Sequence, residues 1–175
     1  MSAPLSLVVD DRTVLDALAR LSAALGPAGL APAMAEIGEE LGESTQQRFS
    51  AGTAPDGTRW APLKPGTVLA RLAKISGAYA KKSGRLGAKG AGAVMGMRPL
   101  IETGMLQDGI HHQVIDGGAG VAVGTNRFAG EWAGGAAVHQ FGSRDGRVPA
   151  RPFLGLSAED RTTVLEIIEA HLSGG

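Results

Sequence analysis

The chain of 175 residues contains no cysteine. That excludes disulfides, thiolate zinc sites and a cysteine nucleophile, and it fits a reducing compartment. Aromatic residues are scarce at 4%, while 27 residues are glycine and 43% are hydrophobic. The core is therefore modest, the loops are many, and stability gains from partners. No apolar run approaches the roughly 20 residues of a membrane span. The first residues put Asp10 and Asp11 behind a short apolar run, without a basic n-region or a cleavage site. These absences read as a chain made in the cytosol, with no membrane partner. The length suits one domain over 1–175 and falls short of two full cores.

Acid is missing locally. The formal net charge is zero, yet between Gly57 and Ile101 there is no Asp or Glu. Arg59, Lys64, Arg71, Lys74, Lys81, Lys82, Arg85, Lys89 and Arg98 place nine of the 17 basic residues there. Within it, Gly77, Gly84, Gly87, Gly90, Gly92 and Gly96 interrupt an Ala-rich stretch that recovers little ordering entropy by burial. Residues 76–98 are expected to be a long, flexible basic loop. It reads either as a solvated insertion or as a surface that touches nucleic acid or acidic protein.

The expected architecture is α+β: an N-terminal helical pair within 1–50, a small antiparallel sheet within 99–156 and a closing helix over 157–173. Leu5–Val9 reads as a short strand. Asp11 or Thr13 caps a helix striped with Val14, Leu15, Leu18, Leu21 and Leu25 and ended by Gly26-Pro27. A second helix runs from about Ala31 to Phe49, with Glu36, Glu39, Glu40 and Glu43 off its apolar stripe. Pro55-Asp56-Gly57 marks a turn before Trp60, and Pro65–Ile75 a short third helix. Pro99–Gly104 reads as a short strand into a turn, and Ile110–Ile115 and Val121–Gly124 as two strands of a hairpin. Ala136–Phe141 fits either helix or strand, and Pro149–Leu154 an edge strand, since its prolines donate no ladder hydrogen bonds. Ser157 and Asp160 have capping-box spacing ahead of Val164, Leu165, Ile168 and Leu172.

Catalytic motifs are sparse. His111 and His112 are adjacent, so on a strand they point to opposite faces and do not share one metal ion. There is neither a Gly-x-Ser-x-Gly elbow nor a His-Glu-x-x-His pair. Lys82-Ser83 resembles the end of a phosphate loop, but Ser76 and Lys81 stand where that loop needs glycine. Gly87, Gly90 and Gly92 have the reverse of dinucleotide-fingerprint spacing. His139 as a general base lacks a nucleophile and an orienting carboxylate, so a structural role is preferred. No enzyme, metal or cofactor is expected.

The most distinctive stretch is His139-Gln140-Phe141-Gly142 followed by Pro149-Ala150-Arg151-Pro152-Phe153-Leu154-Gly155. The prolines hold Val148 and Arg151 extended, so Arg151 is presented from a stiff segment. Its five-donor fork suits either buried backbone carbonyls or a carboxylate on a neighbouring subunit. Arg151, Phe153, His139, Phe141 and Trp60 are the expected interface residues. Lys81, Lys82, Arg85 and Lys89 are the expected contacts to DNA or to a partner.

Taken in order, Phe49, Pro55-Asp56-Gly57-Thr58-Arg59-Trp60-Ala61-Pro62-Leu63, Thr67, Leu100-Ile101-Glu102-Thr103-Gly104-Met105-Leu106, Val123-Gly124-Thr125 and the two segments above resemble the phage virion morphogenesis family, the tail completion or neck proteins of Mu-like phages. The stretch between Thr67 and Leu100 is longer and richer in Gly and Lys than the family pattern, and Gly130–Gly135 is an insertion after Phe128-Ala129. The resemblance implies a structural virion component at the head–tail junction. It further implies a homo-oligomeric, hexameric ring beside connector, tail terminator or tail tube proteins, with DNA passing through the channel. The alternative is a soluble nucleic-acid-binding protein using the basic segment 59–98, with salt-sensitive binding; against it, the loop interleaves only Tyr79 with its cations.

Overall fold

The computed structural model describes residues 11–80, 83–126 and 135–173. The strand expected at Leu5–Val9, the contact residues Lys81 and Lys82, and Phe128-Ala129 with all but the last residue of the Gly130–Gly135 insertion lie outside them. Among the described residues the architecture is α+β, with helices around one two-stranded antiparallel sheet.

Three helices form one layer. α1 (Arg12–Gly29) starts at Asp11, whose Oδ1 accepts the amides of Thr13 at 3.1 Å and Val14 at 3.3 Å. Its helical path breaks at Gly26, with φ 71° and ψ 169°. α2 (Ala31–Ala51) carries Pro32 in its first turn and closes on Gly52, whose amide bonds the Arg48 carbonyl. α7 (Ala158–Ser173) opens with a reciprocal cap: Ser157 Oγ accepts the Asp160 amide at 3.0 Å, and Asp160 Oδ2 accepts the Ser157 amide at 2.7 Å. α7 packs along both α1 and α2. Leu21, Leu30, Met34, Ile37, Val164 and Ile168 meet in this first core.

The hairpin forms as the alternation predicts. β1 (His111–Ile115) pairs with β2 (Gly120–Gly124), His111 opposite Gly124 and Ile115 opposite Gly120, across a 3₁₀ turn at Asp116–Gly118. It lies on α2, and Val114 and Val121 reach the first core. Gly38 of α2 permits this approach: a Cβ there would stand 2.7 Å from the His112 ring and from a Val121 methyl.

α2 also feeds a second core at its C-terminal end. Phe49, Trp60, Leu106, Ile110, Phe153 and Leu154 gather there. Phe49 meets Trp60 edge-on, with ring centroids 5.5 Å apart and planes at 80°, and lies 5.4 Å from Phe153. The short helices α5 (Met105–Asp108) and α6 (Gly135–Phe141) flank it. The 136–141 segment, open between helix and strand in the sequence, is therefore helical.

Three expectations are corrected. Residues 76–98 are not loop throughout: Tyr79 and Leu86 form an antiparallel bridge, and Ala88–Gly96 form α4, packed on α3 (Pro65–Ala73). The alanines make the helix, and Gly90 lets it dock, since a Cβ there would come 2.3 Å from the Ala78 carbonyl oxygen. Of the short strand and turn expected over Pro99–Gly104, the turn is present, with Leu100 at φ 61°, while the strand is reduced to a single Arg98–Ile101 bridge. Arg71 Nη1 draws it together by donating to the carbonyls of Arg98 and Ile101, both at 3.0 Å. Pro149–Leu154 pairs with no strand among the described residues; the Arg151 amide bonds the His139 carbonyl at 2.7 Å, and beyond it side chains take the place of a ladder.

Candidate functional site

The polar backbone of 151–155 is satisfied from three directions. Gln140, buried on α6, accepts the amides of Phe153 and Leu154 on Oε1 at 2.9 and 3.0 Å, and donates from Nε2 to the Leu154 carbonyl at 2.9 Å. Trp60 Nε1 donates to the Pro152 carbonyl at 2.8 Å. Arg48 Nη1 donates to the carbonyls of Phe153 and Gly155 at 3.0 and 2.9 Å. Arg48 also pairs with Asp160, which receives the Ser44 hydroxyl as well. Burial pushes the Asp160 carboxyl up, but the hydrogen bonds from Ser44 and Ser157 and the charge of Arg48 outweigh it and hold the group below its ordinary value.

The sequence reading missed Gln140 and the Arg48–Asp160 pair. The signal for Arg48 was its place among the buried positions of α2, beside Phe49; for Asp160 it was the capping box, which named the residue without its second partner. Gln140 stood inside the His-Gln-Phe block without an assigned role.

Arg151 is 5% exposed and turns inward. Its Nε donates to the Ala61 carbonyl at 2.8 Å and its Nη2 to the Pro62 carbonyl at 2.9 Å. Of the two partners open to it, the fork finds backbone carbonyls of its own chain, and this joins the Trp60–Pro62 block to the Pro149–Gly155 block. Phe153 and Trp60 are buried in the second core, His139 is half-buried, and Phe141 faces solvent at 60% exposure. Arg85 and Lys89 are exposed, and Lys89 Nζ donates to the Ser76 carbonyl at 2.8 Å.

These elements enclose a basin of about 450 Å³. Arg71, His139 and Arg151 line it together with Lys64 and Arg147, and Glu102 is its one carboxylate among the described residues. Leu63, Leu100, Leu106 and Val148 give it an apolar lining. Two buried donors or acceptors in its wall have no hydrogen-bond partner among the described residues: Arg71 Nε, which stands 3.6 Å from Glu102 Oε2, and His139 Nδ1. Burial and the neighbouring Arg151 charge push His139 below its ordinary value, so the imidazole is neutral at pH 7. Burial, with the nearby Arg71 charge, lowers Arg151 as well. The arrangement suits holding an anionic group by charge and hydrogen bonds. Thr67 and Thr103 supply the hydroxyls of the lining.

No helix among the described residues is long and apolar enough to cross a membrane. No solved structure matches the chain. The tail completion protein S of Escherichia phage P2 is 32% identical to it, over 90% of this chain and 93% of that protein. The phage virion morphogenesis family model matches residues 9–173. The blocks that build the second core and the basin lie inside that span, and the chain belongs to the phage virion morphogenesis family.

Proposed function

We propose that the chain is a structural, non-catalytic subunit of a phage virion that completes the tail and makes it competent to join the head, working as a homo-oligomeric ring at the head–tail junction. The observation that carries this reading is the extent of the family match, residues 9–173, together with a tail completion protein similar over 93% of its own length. The fold suits the role. Two small cores share α2, and Phe141, Leu69, Tyr79, Leu86 and Met95 leave apolar surface outside them, as a subunit covered by neighbours does. The ring is hexameric on this reading, made in the host cytoplasm, and it borders connector, tail terminator or tail tube proteins around the DNA channel. Arg151, Phe153, His139 and Trp60 then act from inside, by setting the shape of the surface that Phe141 and the basin present; Lys81, Lys82, Arg85 and Lys89 contact a partner or the DNA.

The test is complementation. Phage lacking this chain should make heads and tails that fail to join, and purified chain should restore infectious particles. Normal particle yield without the chain overturns the reading. A second reading, a nucleic-acid-binding protein, is favoured by the acid-free segment alone. It requires tight, salt-sensitive DNA binding by the isolated chain, whereas the structural reading requires docking to virion parts.

A further inference from the structure

Charge on this molecule is sorted by place. The acid-free segment becomes α3, α4 and their connections, a lobe that joins the body at the C-terminal end of α2: Arg98 Nη1 donates to the Ser50 carbonyl at 2.7 Å, and Lys64 Nζ donates to the Arg147 carbonyl. The basin opens beside this lobe. The opposite charge lies on the side of the helical layer formed by α2 and α7, while α1 carries the exposed Arg12 and Arg20. Glu36, Glu39, Glu40 and Glu43 on α2 and Glu159, Glu166 and Glu169 on α7 are exposed, and the basic residues of these two helices are Arg48, Arg161 and His171, whose Nε2 stands 3.0 Å from Glu36 Oε2. Arg48 is consumed by Asp160, and Arg161 by Asp11. Between α2 and α7 a groove of about 220 Å³ carries Glu40, Glu43 and Glu159 on its rim. Glu39, Glu40, Glu159, Glu166 and Glu169 form no ion pair among the described residues.

Each face thus has what the other lacks. The basin holds a buried Arg71 Nε and His139 Nδ1 without a hydrogen-bond partner among the described residues, and gathers the four cations Lys64, Arg71, Arg147 and Arg151 against the carboxylate of Glu102, an arrangement that an incoming carboxylate relieves. Its apolar lining and the exposed Leu69, Leu86 and Met95 of the lobe suit a protein surface better than a hydrated phosphodiester, and the segment offers one aromatic, Tyr79, for base stacking. We propose that the basin receives a glutamate of a second copy of this chain, presented by the acidic face of α2 and α7, so that copies join head to tail. Two different patches then meet at every contact. Such a heterologous contact closes into a ring when the rotation between copies divides a full turn. The inference rests on the ring reading above and supplies its contact.

Sedimentation of the full chain with two variants tests it. Lys64→Gln/Arg147→Gln removes charge from the basin mouth, where the Arg147 side chain is 86% exposed; Glu39→Gln/Glu40→Gln/Glu159→Gln removes it from the acidic face. The wild type should assemble beyond a dimer at low salt and fall apart at high salt. Each variant alone should stay monomeric while keeping the helical circular dichroism of the wild type, and mixing the two should give a one-to-one pair that grows no further. The His139 imidazole signal should shift when that pair forms. Wild type that remains monomeric or stops at a dimer, a variant that assembles like wild type, a mixture that does not pair, or an unmoved His139 signal overturns the proposal. So does a basin variant whose sole defect is lost binding of a DNA oligonucleotide. Complementation separates this from the broader reading: a chain that restores head–tail joining without self-association keeps the tail-completion role and loses the head-to-tail contact.

Discussion

Gln140 shows how one side chain substitutes for a β-strand. Proline at 149 and 152 removes two backbone donors, and Gln140 supplies the pairing that a neighbouring strand would give to Phe153 and Leu154. Gln140→Leu leaves two amides and a carbonyl buried without partners, at about 1–3 kcal/mol each. Chemical denaturation should show a loss of at least about 3 kcal/mol; a loss within error contradicts this role. Asp160→Asn strands the Arg48 charge, which for a buried pair costs about 3–5 kcal/mol. The pH dependence has two parts of the same sign. Asp160 titrates below its ordinary 3.8, so its contribution is complete above that value and is lost as pH falls through the lowered one. His139 titrates below its ordinary 6.5, so the unfolded chain takes up that proton first, and stability declines as pH falls below 6.5. His139→Asn should flatten the slope of stability with pH between 6.5 and about 5; an unchanged slope removes His139 as its source.

At the scale of elements, what was legible depended on whether local chemistry or tertiary contact decided. The Asp11 cap, the Ser157–Asp160 box, the Asp56 turn, whose Oδ1 accepts the Thr58 amide at 2.9 Å, and the β1–β2 alternation are written in neighbouring residues, and all were readable. The 99–104 turn depends on Arg71, about thirty positions earlier, and the 149–154 segment on Gln140, Trp60 and Arg48. Neither dependence has a local signature. For the basin, the blocks that form its wall were legible as blocks, while the meeting of Arg71 with His139 and Arg151 was not. α4 was obscured because glycine content reads as flexibility, whereas Gly90 serves close packing on Ala78. Gly90→Val should undock α4 at about 1–3 kcal/mol, the usual cost of overpacking. Hydrogen exchange should then speed up over 88–96 while the first core stays protected; uniform acceleration across the chain, or none, contradicts a separately docked lobe.

The whole molecule is a single spine with two ends. α2 contributes Met34 and Ile37 to one core and Phe49 to the other, so the acidic helical layer and the basic lobe are held at a fixed spacing along about 30 Å of helix. A rigid subunit with unlike ends is suited to repeating contacts around an axis. On the function proposed above, this chain sits in the finished particle where head meets tail. Electron cryo-microscopy of intact virions carrying a tagged copy tests it most directly. The account predicts a ring of tag density at the neck, between the capsid connector and the tail; particles without the tag, or density at the baseplate, along the tube or inside the head, contradict it.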